Sequence, residues 1–315
     1  MKKILVTGAA GFIGFHLCKK LLQKKFKVYG LDNINNYYKK ELKIDRIKIL
    51  KNFKKRKFTF IKVDLKNNKK FEYIFKKNNF DIVIHLAAQA GIRYSLKNPR
   101  NYLENNIFGL FNLMENIRKF KIKKFIFGSS SSVYGNLYKI PFKENFETSS
   151  PLQFYGATKK AGEVFLKTYS HLYDIKTVCL RFFTVYGPWG RPDMALHSFV
   201  KKIINNETIE LYNKGKLVRD FTYIDDIVSG IYLALKKNQK KNFNIYNLGN
   251  QKPVKLLYFL KLIEDNLNKK AKIKFTNFKK TEMIKTYSNN FKAKKELGYK
   301  PKTLIDLGVK KFIEW

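Results

Sequence analysis

Cysteine is nearly absent from the chain. In 315 residues only Cys18 and Cys179 occur, far apart and each inside an apolar run, which excludes a disulfide framework and fits a reducing cytoplasm. The four histidines, His16, His85, His171 and His197, have none of the spacings of a metal-ligand set, so no metal is expected. No apolar run is long enough to cross a bilayer. The start, Met1-Lys2-Lys3-Ile4, has neither the apolar core nor the cleavage site of a secretory leader, and a cytoplasmic protein with no membrane partner is expected. Acidic residues are scarce too, 24 against 65 basic ones, for a formal charge of +41 and a pI near 10.0. Such a charge is ordinarily the footprint of nucleic-acid or anionic-surface binding. Here the lysines are spread along the whole chain, with no basic tail and no nucleic-acid-binding motif. Their company of Asn, Ile, Phe and Tyr is the set encoded by A/T-rich codons, so no nucleic-acid partner is expected. Within the basic set arginine is rare, eight of the 65. Arg93, Arg181, Arg191 and Arg219 fall in stretches that carry other chemical signals, where a planar fork for phosphate or carboxylate is hard to replace with lysine.

What is present begins at the N-terminus. Lys2 to Thr7 reads as a short buried strand, Gly8-Ala9-Ala10-Gly11-Phe12-Ile13-Gly14 follows at once, and Phe15 to Lys25 reads as a helix. A strand, a glycine-rich turn and a helix in that order make an anion site: N–H groups at the helix start, around Phe12 and Ile13, point at a pyrophosphate, and Gly8, Gly11 and Gly14 let it approach. The spacing departs from the usual Gly-x-Gly-x-x-Gly, and glycines in a tight connection can serve packing alone. Their position directly after the first strand favours a dinucleotide. The next strand, Lys27 to Leu31, ends in Asp32-Asn33. A carboxylate about 20 residues past the glycines binds both hydroxyls of an adenosine ribose and repels a 2′-phosphate, so the expected cofactor is NAD rather than NADP.

Further strands are expected at Phe58–Val63, delivering Asp64 and Leu65 to the adenine edge, and at Asp81–Leu86, where the small residues Ala87 and Ala88 after Leu86 let the backbone lie against the cofactor. Asn35 to Lys57 reads as a loop and a surface helix, and Asn101 to Phe120 as one long helix. Lys124–Gly128 and Thr177–Phe183 read as strands, with a helix from Tyr155 to Tyr173 between them. This alternation indicates an α/β fold: a Rossmann-type doubly wound parallel sheet, its site at the carboxyl ends of the strands, with a smaller C-terminal substrate-binding lobe. The expected division is a NAD-binding domain of residues 1–184 plus about 220–250, and a substrate lobe of residues 185–219 and about 251–315.

The chemistry is expected between Ser129 and Lys159. Four serines, Ser129 to Ser132, close an apolar run, and Tyr155-Gly156-Ala157-Thr158-Lys159 opens a helix. Tyr155 and Lys159 stand at i and i+4 and share one helix face. A nearby ammonium draws a phenol that starts near pKa ~10 toward neutrality, where it can take a proton from an alcohol and hand it back. Tyr-x-x-x-Lys alone occurs by chance on many helices. The dinucleotide signals give it its context.

Four longer segments complete the pattern: Leu31-Asp32-Asn33-Ile34-Asn35-Asn36-Tyr37-Tyr38, Ala88-Gln89-Ala90-Gly91-Ile92-Arg93-Tyr94-Ser95, Arg181-Phe182-Phe183-Thr184-Val185-Tyr186-Gly187-Pro188-Trp189-Gly190-Arg191-Pro192-Asp193-Met194-Ala195, and Arg219-Asp220-Phe221-Thr222-Tyr223-Ile224-Asp225-Asp226. With these the chain resembles, over essentially its full length, the extended short-chain dehydrogenase/reductase family of NAD-dependent nucleotide-sugar epimerases and dehydratases, and within it the UDP-glucuronate 4-epimerases. The resemblance implies that Tyr155 is the base and acid, that Lys159 lowers its pKa and holds the nicotinamide ribose, and that Ser130, three residues before Val133-Tyr134-Gly135, is the partner hydroxyl. It places Asn105 near the nicotinamide end. The implied reaction oxidises the sugar at C4, turns the 4-keto sugar over and reduces its other face.

For a uronate that intermediate is a β-keto acid prone to lose CO2, and Ser131, Ser132, Thr184 and Arg93 are the residues placed to hold its carboxylate; galactose epimerases of the family generally carry asparagine where Thr184 stands. The family's 4,6-dehydratases carry an Asp-Glu pair after the catalytic hydroxyl and its decarboxylating members a Glu, where this chain has Ser131-Ser132. A 4-epimerase of UDP-glucose or UDP-N-acetylglucosamine, or a dehydratase or decarboxylase, is the alternative. Arg219 and Arg191 are expected at the UDP pyrophosphate. The family's Pro-Gly-Asp turn reads here Lys280-Thr281-Glu282, so Glu282 is expected to replace the Asp and Lys279 to touch phosphate. A homodimer through the helices near 101–120 and 155–173 is also implied.

Overall fold

The computed structural model describes residues 1–53, 57–278 and 282–315. Among them the strands are β1 (Lys3–Thr7), β2 (Lys27–Asp32), β3 (Phe58–Lys62), β4 (Ile82–His85), β5 (Lys124–Ser130), β6 (Lys176–Phe182), β7 (Thr184–Tyr186), β8 (Thr208–Tyr212), β9 (Val218–Tyr223), β10 (Phe243–Leu248), β11 (Pro253–Lys255) and β12 (Lys272–Thr276). The helices are α1 (Phe12–Gln23), α2 (Lys40–Phe53), α3 (Asn68–Asn78), α4 (Ile92–Lys97), α5 (Pro99–Tyr102), α6 (Gly109–Lys119), α7 (Phe154–Tyr173), α8 (Ala195–Ile204), α9 (Ile224–Lys236), α10 (Leu256–Leu267), α11 (Phe291–Leu297) and α12 (Ile305–Glu314). Seven strands form one sheet in the order β3-β2-β1-β4-β5-β6-β10, every neighbouring pair parallel.

The strands read as continuous apolar runs because both faces of a parallel sheet are covered by helices. Alternation still sorts the side chains. Ile4 and Val6 of β1, Ile84 of β4 and Ile126 of β5 enter the cluster that holds Phe15, Leu17 and Leu21 of α1 and Ile227 and Ile231 of α9. Leu5, Val83, Phe125 and Phe127 enter the opposite one, with Phe71 and Phe75 of α3, Leu110 and Leu113 of α6 and Leu166 of α7. Each such side chain, fully buried, contributes about 1.5–3 kcal/mol. The doubly wound expectation is met.

Several boundaries differ from the sequence reading, each for a physical reason. Helix α1 starts at Phe12 rather than Phe15, so the last glycine of the motif lies inside the first helical turn, and Gly11 caps it in an extended conformation. The expected helix 101–120 is not one regular helix: α5 and α6 are joined by a π-helical turn, Leu103–Phe108, a form that inserts one residue per turn and is frequent at functional sites. Strand β5 runs on to Ser130, and Ser131–Tyr134 make a 3-10 turn whose cap is the Ser130 hydroxyl, accepting from Ser132 N–H. Thr184–Tyr186 leaves the central sheet and pairs with β9, which also pairs with β11. Strands β8 and β12 make a separate parallel pair.

The small three-stranded sheet is organised by one buried carboxylate. Asp220 of β9 accepts from the Ser288 hydroxyl (2.6 Å) and N–H (3.0 Å) and from the N–H groups of Asn250 (2.7 Å) and Gln251 (3.2 Å). Burial pushes its pKa up and the Ser288 bonds pull it back. It thus ties β9, the loop after β10 and the approach to α11 together, and fixes its neighbour Arg219. Asp220→Ala strands all these donors out of water and should cost roughly 3–5 kcal/mol of stability, read from the urea midpoint. An unchanged midpoint would show that the carboxylate is not the organiser.

Candidate active site

A cavity of about 720 Å³ opens at the carboxyl ends of the central strands and extends to the segment around Glu282. Its first end is built by the glycine turn. Gly8 sits at φ +73°, and a Cβ there would lie 2.7 Å from the Ala87 amide nitrogen, while one on Gly14 would overlap the Gly8 carbonyl oxygen. No other residue lets α1 start so close to β1. The N–H groups of Phe12, Ile13 and Gly14 in the first turn have no carbonyl within the helix to bond, and no side chain caps them, which leaves an anion-binding terminus facing the cavity. Across from it, Asp32 accepts from Ala10 N–H (3.1 Å) and Ile34 N–H (2.9 Å). Burial raises its pKa, opposed by the Ile34 bond and by the charge of Lys43. Asn33 donates to Asp64 (2.9 Å), which sets the edge where Leu65 also lines the cavity. Leu86, Ala87 and Ala88 form its floor, Ala87 N–H being held by the Thr7 hydroxyl at 3.3 Å. These groups fit a dinucleotide: an anion terminus open to the cavity and, at the end of the neighbouring strand β2, a carboxylate in the same cavity.

The side chains expected to carry the chemistry meet in one cavity. Ser130, Tyr155 and Lys159 all line it. Lys159 donates to the Gly128 carbonyl at 2.7 Å and its ammonium lies 4.7 Å from the Phe127 ring centroid. Burial brings its pKa down to about 8, with Cys179 and Glu163 acting the other way. The Tyr155 phenol is pushed up by burial, and what pulls it down is the Arg191 guanidinium and a hydrogen bond with Ser130. The sequence reading named Lys159 for this role and did not foresee Arg191, which comes from a distant loop and lowers the phenol pKa here. Arg191 is held there by a bidentate pair to Asp193 (3.0 and 2.5 Å), which also accepts from the Tyr37 hydroxyl at 3.0 Å. Burial works against the Asp193 charge, but Arg191 keeps its pKa below the usual carboxylate range. Ser131, Ser132 and Thr184 line the wall beside this group.

Asn105 lines the cavity from the π-helical turn, its amide donating to the Asn101 carbonyl at 2.7 Å. The next residue, Asn106, was not singled out from the sequence. It accepts from Gln89 N–H (2.8 Å) and donates to the Gln89 carbonyl (3.1 Å) and the Thr158 hydroxyl (3.0 Å), and so joins the loop after β4 to α7. Tyr37 and Asp193 were likewise unassigned, although both stand in the segments that carried the resemblance.

The far end gathers Arg93, Tyr212, Arg219 and Glu282. Glu282 accepts from Arg93 (3.3 and 3.1 Å) and from Arg219 (3.2 Å), and the Arg93 guanidinium lies 4.4 Å from the Tyr212 ring centroid. Two expectations therefore exchange places. Arg93, read as a charge for the sugar carboxylate, stands with Arg219, whereas Arg191, read with Arg219 at the pyrophosphate, stands beside Tyr155. Sequence distance cannot reveal which loop folds back over the phenol. Lys279 lies outside the described residues. Among the described residues no cluster of His, Cys, Asp and Glu could hold a metal ion, and no helix is long and apolar enough to cross a membrane.

A glycine cradle, an acidic strand end and a Ser-Tyr-Lys group in one cavity define a short-chain dehydrogenase/reductase site. The family model described as GDP-mannose 4,6 dehydratase matches residues 5–312, and the chain belongs to that family of extended short-chain dehydrogenase/reductase enzymes acting on nucleotide sugars. Protein CapI of Staphylococcus aureus is 45% identical over 329 residues, 99% of this chain and 98% of that one. UDP-glucuronate 4-epimerase 1 of Arabidopsis thaliana is 42% identical over 328 residues, 99% of this chain and 76% of that one. The crystal structure of UDP-glucuronic acid 4-epimerase from Bacillus cereus, in complex with UDP-glucuronic acid and NAD, is similar with a TM-score of 0.93 at 35% identity, covering 99% of this chain and 98% of that one.

The site predicts its own titration. With Lys159 lowered to about 8, the ammonium is present at neutral pH and lost as pH rises through that value, while exposed lysines stay charged to about 10.4. NMR titration of labelled lysine side chains in the protein free of nucleotide should show two resonances with such a low midpoint, from Lys124 and Lys159, and only the Lys124 one in Lys159→Met. If every lysine titrates near the ordinary value, Lys159 is better solvated than its surroundings here allow.

Proposed function

We propose that the chain is an NAD-dependent 4-epimerase that interconverts UDP-glucuronate and UDP-galacturonate. One observation carries the reading: the Ser130–Tyr155 pair lies between a dinucleotide cradle and a wall of neutral hydroxyls, Ser131, Ser132 and Thr184, with no carboxylic acid among them. Tyr155 takes the proton of the sugar 4-hydroxyl and later returns one to the same oxygen, Ser130 holding that oxygen through its hydroxyl. The first turn of α1, Asp32, Asn33 and Lys159 would hold NAD, which when bound would supply the hydride acceptor and donor at C4. The 4-keto sugar turns over between the two transfers, so the cofactor ends as it began.

The carboxylate decides between family activities. A β-keto acid loses CO2 when its carboxylate bond aligns with the carbonyl π-system, and Ser131, Ser132 and Thr184 can donate to hold it out of alignment. Dehydration at C5 and C6 needs an acid beside the phenol. Asp193, in the same cavity, is kept anionic by Arg191, which leaves it without a proton to give. At the far end Arg219, Arg93 and Glu282 face the UDP diphosphate and ribose. Cofactor and sugar are divided between residues 1–184 with about 220–250 and residues 185–219 with about 251–315; β10 in the central sheet and β7 outside it support this division. A homodimer is supported by the exposed apolar side chains Phe108 and Phe111 before and on α6 and Val164, Phe165 and Leu172 on α7. A cytoplasmic location is supported by the free, buried thiols of Cys18 and Cys179, which a reducing compartment preserves.

The test is to incubate the protein with UDP-glucuronate, UDP-glucose and UDP-N-acetylglucosamine separately and identify products by NMR. UDP-galacturonate is expected from the first and little from the others. Tyr155→Phe should keep NAD binding and lose most turnover, by roughly 10²–10⁴-fold, because packing persists while the proton carrier is gone. Ser132→Ala or Thr184→Ala should raise the share of a decarboxylated 4-keto-pentose. Equal conversion of UDP-glucose with unchanged product ratios would move the assignment to a neutral UDP-hexose.

A further inference from the structure

Helix α7 carries two buried charged side chains one turn apart, Lys159 and Glu163, and the mechanism above uses only the first. Glu163 accepts from the Ser129 hydroxyl at 2.6 Å and from both Nε and Nη2 of Arg181 at 2.9 and 2.7 Å. Glu163 and Arg181 are each 2% exposed. Arg181 is enclosed further by the Tyr134 ring, 4.8 Å from its guanidinium carbon, and donates to the Glu144 carbonyl at 3.3 Å. One turn earlier on the same helix, Lys159 grips the Gly128 carbonyl.

Two consecutive residues of β5, Gly128 and Ser129, are therefore clamped to α7 by two consecutive turns of that helix. The residue that follows is Ser130, and the residue one turn before Lys159 is Tyr155. These reacting groups sit on different elements, so their mutual placement depends on the register of the β5 end against α7. A pair that served packing alone needs no charge, since apolar residues of similar volume commonly replace a buried ion pair without loss of stability. Facing the Lys159 ammonium are Glu163 on its own helix, Cys179 on β6 and His85 on β4. Of these Glu163 is the carboxylate. His85 is held neutral by burial, its pKa down to about 3, and burial raises the Cys179 thiol well above its ordinary value.

We propose that Glu163, anchored by Arg181, is a positioning residue of the reaction: it locks the β5 end against α7 so that Ser130 meets the Tyr155 phenol, and it supplies the negative charge beneath the Lys159 ammonium. The proposal rests on the roles given above to Tyr155, Ser130 and Lys159. Glu163 touches neither sugar nor cofactor and acts through Ser129 and Lys159.

Glu163→Gln alone strands the Arg181 charge and can unfold the chain for that reason, so the test compares wild type with Glu163→Gln/Arg181→Met and with Ser129→Ala, each loaded with NAD. Thermal unfolding, kcat and KM for UDP-glucuronate across neutral to alkaline pH, and the Lys159 midpoint by NMR in the nucleotide-free protein are read together. In the double variant kcat should fall by roughly ten- to a hundredfold with KM within about twofold, the cost of a small misplacement of reacting groups. Its Lys159 midpoint should move below about 8, because a charge that favours the ammonium is gone, and the alkaline limb of kcat should follow it down. Ser129→Ala should lower kcat without moving that midpoint. A folded double variant with wild-type kcat and an unmoved Lys159 midpoint overturns the proposal. If the double variant does not fold, unchanged kcat in Ser129→Ala overturns it. If wild type converts no UDP-hexose, the proposed function fails instead, while the Lys159 midpoint still decides the electrostatic half of this inference.

Discussion

Charge taken out of water is the constraint on which the rest of this structure depends. Asp32, Lys159, Glu163, Arg181 and Asp220 are all buried, and a buried charge left unpaired costs several kcal/mol. Each has therefore found a partner, and most of those partners are backbone groups in loops or serine hydroxyls at strand ends. Asp32 holds Ala10 and Ile34, Lys159 holds Gly128, Glu163 holds Ser129, and Asp220 holds Asn250, Gln251 and Ser288. The need to satisfy the charge is what gives otherwise irregular segments one conformation.

The same constraint explains why the site can be both rigid and reactive. Burial disfavours ionisation of the Tyr155 phenol and of the Lys159 ammonium alike, which holds both nearer to neutrality of charge than they would be in water. A bound ligand that brings charge then changes their protonation with little movement of atoms, because the local dielectric is low and neighbouring dipoles are already oriented. The Arg191 charge lowers the phenol pKa, and Arg191 is held by Asp193, which Tyr37 holds in turn from a separate loop. Arg46, buried and in no ion pair with a carboxylate among the described residues, donates to the carbonyls of Ala10 (2.8 Å) and Trp189 (2.6 Å). It thereby joins the glycine turn to the loop that carries Arg191, so both are parts of one hydrogen-bonded assembly.

Much of the fold was legible in the chain because its signals are local. A parallel sheet buries both faces, and apolar runs such as Ile4–Val6 and Phe125–Phe127 announce it. A helix that starts against a strand needs glycine at the contact, and Gly8 and Gly14 stand there. Errors came where local signals are silent. The π-helical turn at Leu103–Phe108 has no distinctive composition, and its apolar spacing reads as an ordinary helix. Thr184–Tyr186 was not read as a strand, yet it pairs with β9, because the chain turns away from the central sheet once Phe182 is paired.

The sequence alone determined which groups are available: the glycine turn, the acid at the end of β2, and a hydroxyl, a phenol and an amine in the order Ser130, Tyr155, Lys159. These follow from chain order and helical period, which folding leaves intact. Tertiary structure decided which charge meets which group. That the Arg191 charge reaches the phenol, that Arg93 stands with Arg219 on Glu282, and that Glu163 holds Ser129 are long-range outcomes. They depend on how loops far apart in sequence return to one cavity and satisfy buried charge there, and spacing along the chain carries no record of that.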